Sequence, residues 1–177
     1  MAKPKQDLMT LAVEHGEEHI LDLTTGQLSR QLLGPLRRMR RVAKRRVTTN
    51  RLMDILVAAD LRYGFNADDS EDLWVELYGT RVVVMLNQDR RFVRFVRAET
   101  LQPFVPDQEI NAVLNHLNSE YDVAKFRSWD AGLVCAEYAM SYEHGLSPQE
   151  MIEMLKGFAE TVQQAFDSEP LASMLAS

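Results

Sequence analysis

Between Leu73 and Thr100 apolar and polar residues alternate in three short runs, separated only by Gly79–Thr80 and by Asn87–Gln88–Asp89. Period-two alternation belongs to a strand with one buried face, and connections this short join antiparallel neighbours. The stretch therefore predicts a three-strand antiparallel meander. In the first run Leu73, Val75 and Leu77 alternate with Trp74, Glu76 and Tyr78, so one face should meet a core while the other is aromatic and polar. Pro103 and Pro106 end the sheet segment.

The flanking segments read as helices and a second hairpin. Thr48–Thr49–Asn50 supply capping residues, and Leu52, Ile55, Leu56 and Ala59 follow at the spacing of one helix face, with Gly64 placed to close that helix. An acidic linker, Asp68 to Asp72, leads into the meander. Asp107 to Asn118 carries Ile110, Val113, Leu114 and Leu117 on one helical face. Tyr121 to Trp129 and Leu133 to Tyr142 read as two strands around Asp130–Ala131–Gly132. Finally Ser147–Pro148–Gln149–Glu150 has the form of a capping box, with proline at the first helical position, ahead of Ile152, Leu155, Phe158, Val162 and Phe166. The expected fold class is α+β: an antiparallel sheet of about five strands packed against helices, in the order α-β-β-β-α-β-β-α. Residues 48–168 form this domain. Residues 1–47 read as a basic, helical N-terminal extension, with Gly34–Pro35 among its breaks, and residues 169–177 as a C-terminal tail.

This order resembles the YbjN-like family, bacterial proteins labelled as sensory transduction regulators whose fold is similar to that of type III secretion chaperones. The resemblance covers Thr48 to Phe166 and is carried best by the strand LVCAEYAMSYEHG leading through Leu146–Ser147–Pro148–Gln149–Glu150 into the long last helix. It implies an α+β domain that binds another protein, often as a homodimer. It brings no catalytic residues, and the basic extension lies outside it.

Charge is distributed unevenly. No acidic residue occurs between Leu23 and Met53, while Arg30, Arg37, Arg38, Arg40, Arg41, Lys44, Arg45, Arg46 and Arg51 supply nine of the twenty basic residues. The remaining eleven basic residues face twenty-six acidic ones, so the rest of the chain stands near −15. The stretch LRRMRRVAKRR, wound as a helix, spreads positive charge around most of its circumference above a thin apolar strip. It suits an acidic protein, an anionic membrane or nucleic acid. It suits equally a solvated helix that offsets the acidic body of its own chain. For nucleic acid it lacks aromatic interleaving, and for a membrane it lacks Trp and Phe.

Motifs with chemistry are few. His15–Gly16–Glu17–Glu18–His19 matches the H-x-x-E-H pattern of inverted zinc proteases, but Gly16 weakens the helix that must hold both ligands. Asp68–Asp69–Ser70–Glu71–Asp72 lacks the glycine a calcium loop needs at its sixth position, which is Leu73. Cys135, the single cysteine, sits mid-strand with no neighbouring histidine. There is no Walker A lysine loop and no G-x-G-x-x-G. The expectation is a non-enzymatic protein without metal or cofactor. No apolar run approaches a membrane span, the start does not read as a secretory signal, and one cysteine cannot staple the chain, all favouring a cytoplasmic setting.

The expected role is binding another protein, as a regulator or in a chaperone-like manner, with homodimerisation as a further expectation. The candidate contact residues are Trp74 and Tyr78 on the sheet, with Arg37, Arg38, Arg40, Arg41, Lys44, Arg45 and Arg46 in the basic segment. Arg81 and the Arg91–Arg94–Arg97 series would surround the two aromatics. The alternative is a regulator associated with nucleic acid or an anionic membrane through residues 30–51, and a third reading is a small metal-dependent hydrolase using His15, Glu18 and His19.

Overall fold

The computed structural model describes residues 36, 39–65, 72–129 and 132–176. Helix α1 (Thr49–Ala58) begins where the Thr48 hydroxyl accepts a hydrogen bond from the Arg51 N–H at 3.3 Å, and it buries Leu52, Ile55 and Leu56. It ends in a Schellman arrangement: Asp60 takes φ 54°, the Leu61 N–H reaches the Leu56 carbonyl at 3.1 Å, and the Asp60 N–H reaches that of Val57 at 3.0 Å. Gly64 is therefore not the residue that closes this helix. It lies in a short strand, β1 (Tyr63–Phe65).

Strands β2 (Leu73–Leu77), β3 (Thr80–Asn87) and β4 (Phe92–Thr100) form the meander, and β5 (Lys125–Trp129) and β6 (Leu133–Ser141) the second hairpin. All pair antiparallel in one six-stranded sheet of order β1-β2-β3-β4-β6-β5. The count exceeds the expected five because β1 has three residues, one of them Gly64, too few to show alternation. The long β6 pairs along all of β4, from Phe92↔Ser141 to Thr100↔Leu133, which sends the shorter β5 to the edge.

One face of this sheet meets the helices. Leu73, Val75, Val82, Val84, Val93, Phe95, Phe126, Val134 and Ala136 pack there against α1, α2 (Asp107–Glu120) and α3 (Pro148–Phe166) in one core. In α3 the Ser147 hydroxyl accepts from the Glu150 N–H at 3.3 Å, as the capping sequence predicts, and Met151, Ile152, Leu155, Phe158, Ala159 and Val162 are buried. Helix α2 is tied to β5 by one side chain: Asn118 donates to the Phe126 carbonyl and accepts from its N–H, both at 2.8 Å.

Both flanking stretches join this core. Leu36, Val42 and Val47 are buried in it, and Val42 exchanges two backbone hydrogen bonds with Leu146. At the other end the one-turn helix α4 (Glu169–Ala172) buries Leu171, Met174 packs beside it, and Leu175 bridges to Leu101. The helical reading of the basic extension is corrected over its described part: residues 39–43 are not helical, and Lys44–Arg46 make a single 3-10 turn. Pairing with Leu146 requires extended backbone at Val42, and that excludes a helical turn at the same place.

Candidate functional site

The second face of the sheet is built by the alternate residues of the same strands. Register places Trp74 opposite Val83, Val83 opposite Val96 and Val96 opposite Glu137. Met85 and Arg94, and Cys135 and Arg127, are further pairs on that face. These side chains stand outside the main core: Val96 and Cys135 are 7% and 0% exposed but belong to this second surface. Among the described residues no helix packs on it. Trp74, Val83, Met85 and Phe92 are half-buried, while Ala98 and Trp129 are exposed. Val83, Met85, Val96, Ala98 and Trp129 line an open depression of about 360 Å³ whose rim includes Arg81 and Asp72.

Three arginines lie over three aromatic rings on this face. The guanidinium carbons of Arg81, Arg94 and Arg127 stand 4.5, 5.1 and 5.3 Å from the ring centroids of Trp74, Phe92 and Trp129. Each is in cation–π range. With Lys125 the face carries four cations against the acids Glu76, Glu137 and, at the rim of the depression, Asp72. Glu137 is bridged by Arg94 at 3.6 Å and Arg127 at 3.2 Å, and Glu76 by Arg62 at 3.3 Å. Arg94 Nε is buried with no hydrogen-bond partner among the described residues. Cys135 lies beneath Arg127; burial pushes its thiol above the ordinary range, against the pull of the guanidinium, so it stays protonated near neutrality and is a poor nucleophile.

The two aromatic candidates separate. Trp74 lies on the second face, as alternation predicts, but its ring rests on Gly64 and its Nε1 donates to the Phe65 carbonyl at 3.1 Å. Tyr78 does not share that face. It leaves the strand with Gly79 as the two-residue turn between β2 and β3, where φ values of 53° and 76° mark a type I′ turn. Burial and the charge of Glu160 on α3 both raise its hydroxyl pKa.

The basic candidates also divide. Arg37 and Arg38 lie outside the described residues. Arg40, Arg45 and Arg46 are exposed. Arg41 donates to the Gly145 carbonyl at 3.2 Å and pairs with Glu150 at 3.4 Å, while Lys44 pairs with Glu143 at 3.0 Å. Arg91 binds the same Glu143 carboxylate, and the two cations hold it below the usual carboxylate range, Arg91 contributing most. The Arg91–Arg94–Arg97 series splits by parity: Arg94 is on the open face, whereas Arg97 lies on the helix side over Phe166 and donates to Gln163 at 3.0 Å. Phe92, Arg127 and Trp129 were not among the candidates. Their convergence is set by the β4–β6–β5 register, a pairing between distant segments that local spacing does not reveal.

His15, Glu18 and His19, and the acidic run through Glu71, lie outside the described residues. Among the described residues no helix is long and apolar enough to cross a membrane.

Architecture and surface together define a class: an α+β protein with one twisted antiparallel sheet, helices on one face and an apolar, cationic surface on the other. The chain belongs to the YbjN family, described as "Putative bacterial sensory transduction regulator", which matches residues 48–168. It is similar in fold to a solved structure described as "Crystal structure of YbjN, a putative transcription regulator from E. coli", with a TM-score of 0.60 and 13% identity over 73% of this chain and 96% of the other. No curated protein matches significantly.

Proposed function

We propose that the chain is a non-enzymatic regulator of the bacterial cytoplasm that acts by binding another protein through the open face of its sheet. The observation that carries this reading is the combination on one surface of a row of apolar side chains, Val83, Met85 and Val96, with Arg81, Arg94 and Arg127 stacked on Trp74, Phe92 and Trp129. Trp and Arg are the residues that most often dominate contact energies. The apolar row supplies burial, and the cations select an acidic partner. Family membership supports a regulatory role.

A photo-crosslinking amino acid in place of Met85 tests this in the native cells. The expected result is one protein adduct of reproducible mass, reduced about tenfold or more by Trp129→Ala or Arg127→Glu, in line with hot-spot losses of about 2 kcal/mol. Adducts that disappear with nuclease, or adducts indifferent to both substitutions, would sink the reading. The second reading, contact with nucleic acid or an anionic membrane through residues 30–51, is favoured by the exposed Arg40, Arg45 and Arg46. It predicts retention on DNA or anionic vesicles that weakens steeply with salt and with Arg45→Glu/Arg46→Glu.

A further inference from the structure

Phe104 stands where a glycine would be at ease. Pro103 and Phe104 make the turn that leads from β4 towards α2, and Phe104 takes φ 72°. Proline followed by a residue of positive φ is the pattern of a type II turn, whose second central position favours glycine because a Cβ crowds the backbone there. A bulky side chain in that conformation costs stability. No packing offsets the cost: Phe104 is 101% exposed, the most exposed large apolar side chain among the described residues. Tyr78 also has positive φ, but it serves a hairpin turn and its hydroxyl senses burial and Glu160.

The base of this loop is fixed. The Gln102 N–H donates to the Met174 carbonyl at 2.8 Å, and its side-chain amide donates to the carbonyls of Ser173 and Leu175 at 3.1 and 3.0 Å. The Ala176 N–H donates to the Thr100 carbonyl at 2.9 Å, and on the other side α2 begins at Asp107. An aromatic ring held out on a fixed base loses little freedom when a partner buries it, which is the property of an anchor.

The surroundings of Phe104 continue the open sheet face. With Leu101, Val105, Ile110 and Trp129 it lines a depression of about 670 Å³, and Trp129 also lines the depression of about 360 Å³ on the sheet. One side chain thus joins the two hollows. Their charge differs. On the sheet Arg81, Arg94, Lys125 and Arg127 stand against Asp72, Glu76 and Glu137, Glu76 is further bridged by Arg62, and Arg97 and Glu99 pair with each other at 2.9 Å, so the balance is cationic with Asp72 counted. Around Phe104 the one charged lining residue among those described is Asp107, and Glu109 follows in the same helical turn.

That distribution selects the occupant. A loop that inserts into a membrane needs cations beside it to meet anionic headgroups, which Asp107 and Glu109 repel. A two-fold contact between copies centred on Phe104 would bring two Asp107 carboxylates together. We infer that Phe104 is the anchor of the protein contact made by the open face, and that the partner is one segment with acidic residues over the sheet and an apolar, acid-free end that buries the Phe104 ring beyond Trp129. The inference rests on the reading of the sheet face as a binding surface.

Phe104→Gly separates stability from binding. It should raise the thermal midpoint of the full chain by about 2–4 °C, since strain is relieved and no packing is lost. In the native cells it should lower about tenfold the adduct formed by a photo-crosslinking amino acid at position 85. Phe104→Trp, which keeps an aromatic ring, should keep both the adduct and the parent midpoint. A crosslinker in place of Asn111, on the Phe104 depression, should capture the same protein as position 85. Peptide mapping of the two adducts should return an acidic segment at position 85 and an apolar one at position 111. The inference is overturned by a Phe104→Gly chain no more stable than the parent, by different proteins at the two positions, by a basic segment at position 85, or by lipid or a second copy of this chain at position 111. A position-85 adduct that Phe104→Gly does not reduce removes the anchor and keeps the binding face, whereas no adduct at either position removes both.

Discussion

At Gly64 the backbone passes directly under an indole: a Cβ there would lie 2.5 Å from Cζ2 of Trp74 and 2.6 Å from Cε2. Glycine serves close approach here. The packing fixes the Trp74 ring, lets its Nε1 reach the Phe65 carbonyl and holds the ring within reach of the Arg81 guanidinium. Gly64→Ala should therefore destabilise the fold by about 1–3 kcal/mol through overpacking. Denaturant unfolding measures this, and in a Trp74→Leu background most of the loss should vanish, because the two residues share one contact. Alternation placed Trp74 on the right face without hinting at its neighbour, since that neighbour comes from β1. The same alternation misplaced Tyr78, because a two-residue turn with both φ values positive takes it out of the pleat.

Elements are held to one another by few specific polar contacts beyond the core. Helix α2 has no side-chain cap at Pro106, and what positions it on the edge strand is the Asn118 amide, bonded twice to the Phe126 backbone at 2.8 Å. Asn118→Ala leaves that N–H and carbonyl without their partner in a part-buried setting. It should cost about 1–3 kcal/mol, against a few tenths for Ser119→Ala on the exposed side of the same helix. Two thermal melts decide it; equal midpoints would show that Asn118 does not position the helix. The helix itself was legible from Ile110, Leu114 and Leu117, but not its attachment, because Asn118 and Phe126 meet only once α2 turns back onto β5.

The whole molecule closes around Glu143. Its carboxylate receives Lys44 from the N-terminal stretch and Arg91 from the β3–β4 turn, so three distant parts of the chain meet at one acid. The pKa of Glu143 is lowered when folded, from an ordinary value of 4.5. Its contribution to stability is thus fully present above the unfolded value and is lost as pH falls through the folded one. Between pH 7 and 5 the melting midpoints of parent and Glu143→Gln should differ by a constant amount. Below pH 4.5 the gap should narrow and then close, and a gap that persists to pH 2 would assign the effect to something other than this charge. High salt should shrink the gap throughout, because all three side chains are partly exposed. The same pairing explains part of the charge asymmetry: Arg41 and Lys44 offset Glu150 and Glu143 of the acidic body, leaving Arg40, Arg45 and Arg46 exposed.

The sequence by itself determined the order of the elements other than β1 and α4, the buried side of β2 and the start of α3, because each depends on residues within one turn or one pleat. Leu73–Val75–Leu77 and Ser147–Glu150 carry that information locally. It also supplied the family resemblance over Thr48 to Phe166, consistent with the match at residues 48–168. Tertiary structure alone decided that β6 pairs with β4, that the basic stretch is extended at Val42, and that Arg81, Arg94 and Arg127 gather with three aromatics on one surface. Those facts arise from hydrogen bonds between strands far apart in the chain. Pairing of that kind is set by which long strands can satisfy each other's backbone groups along their full length, and no local spacing records it.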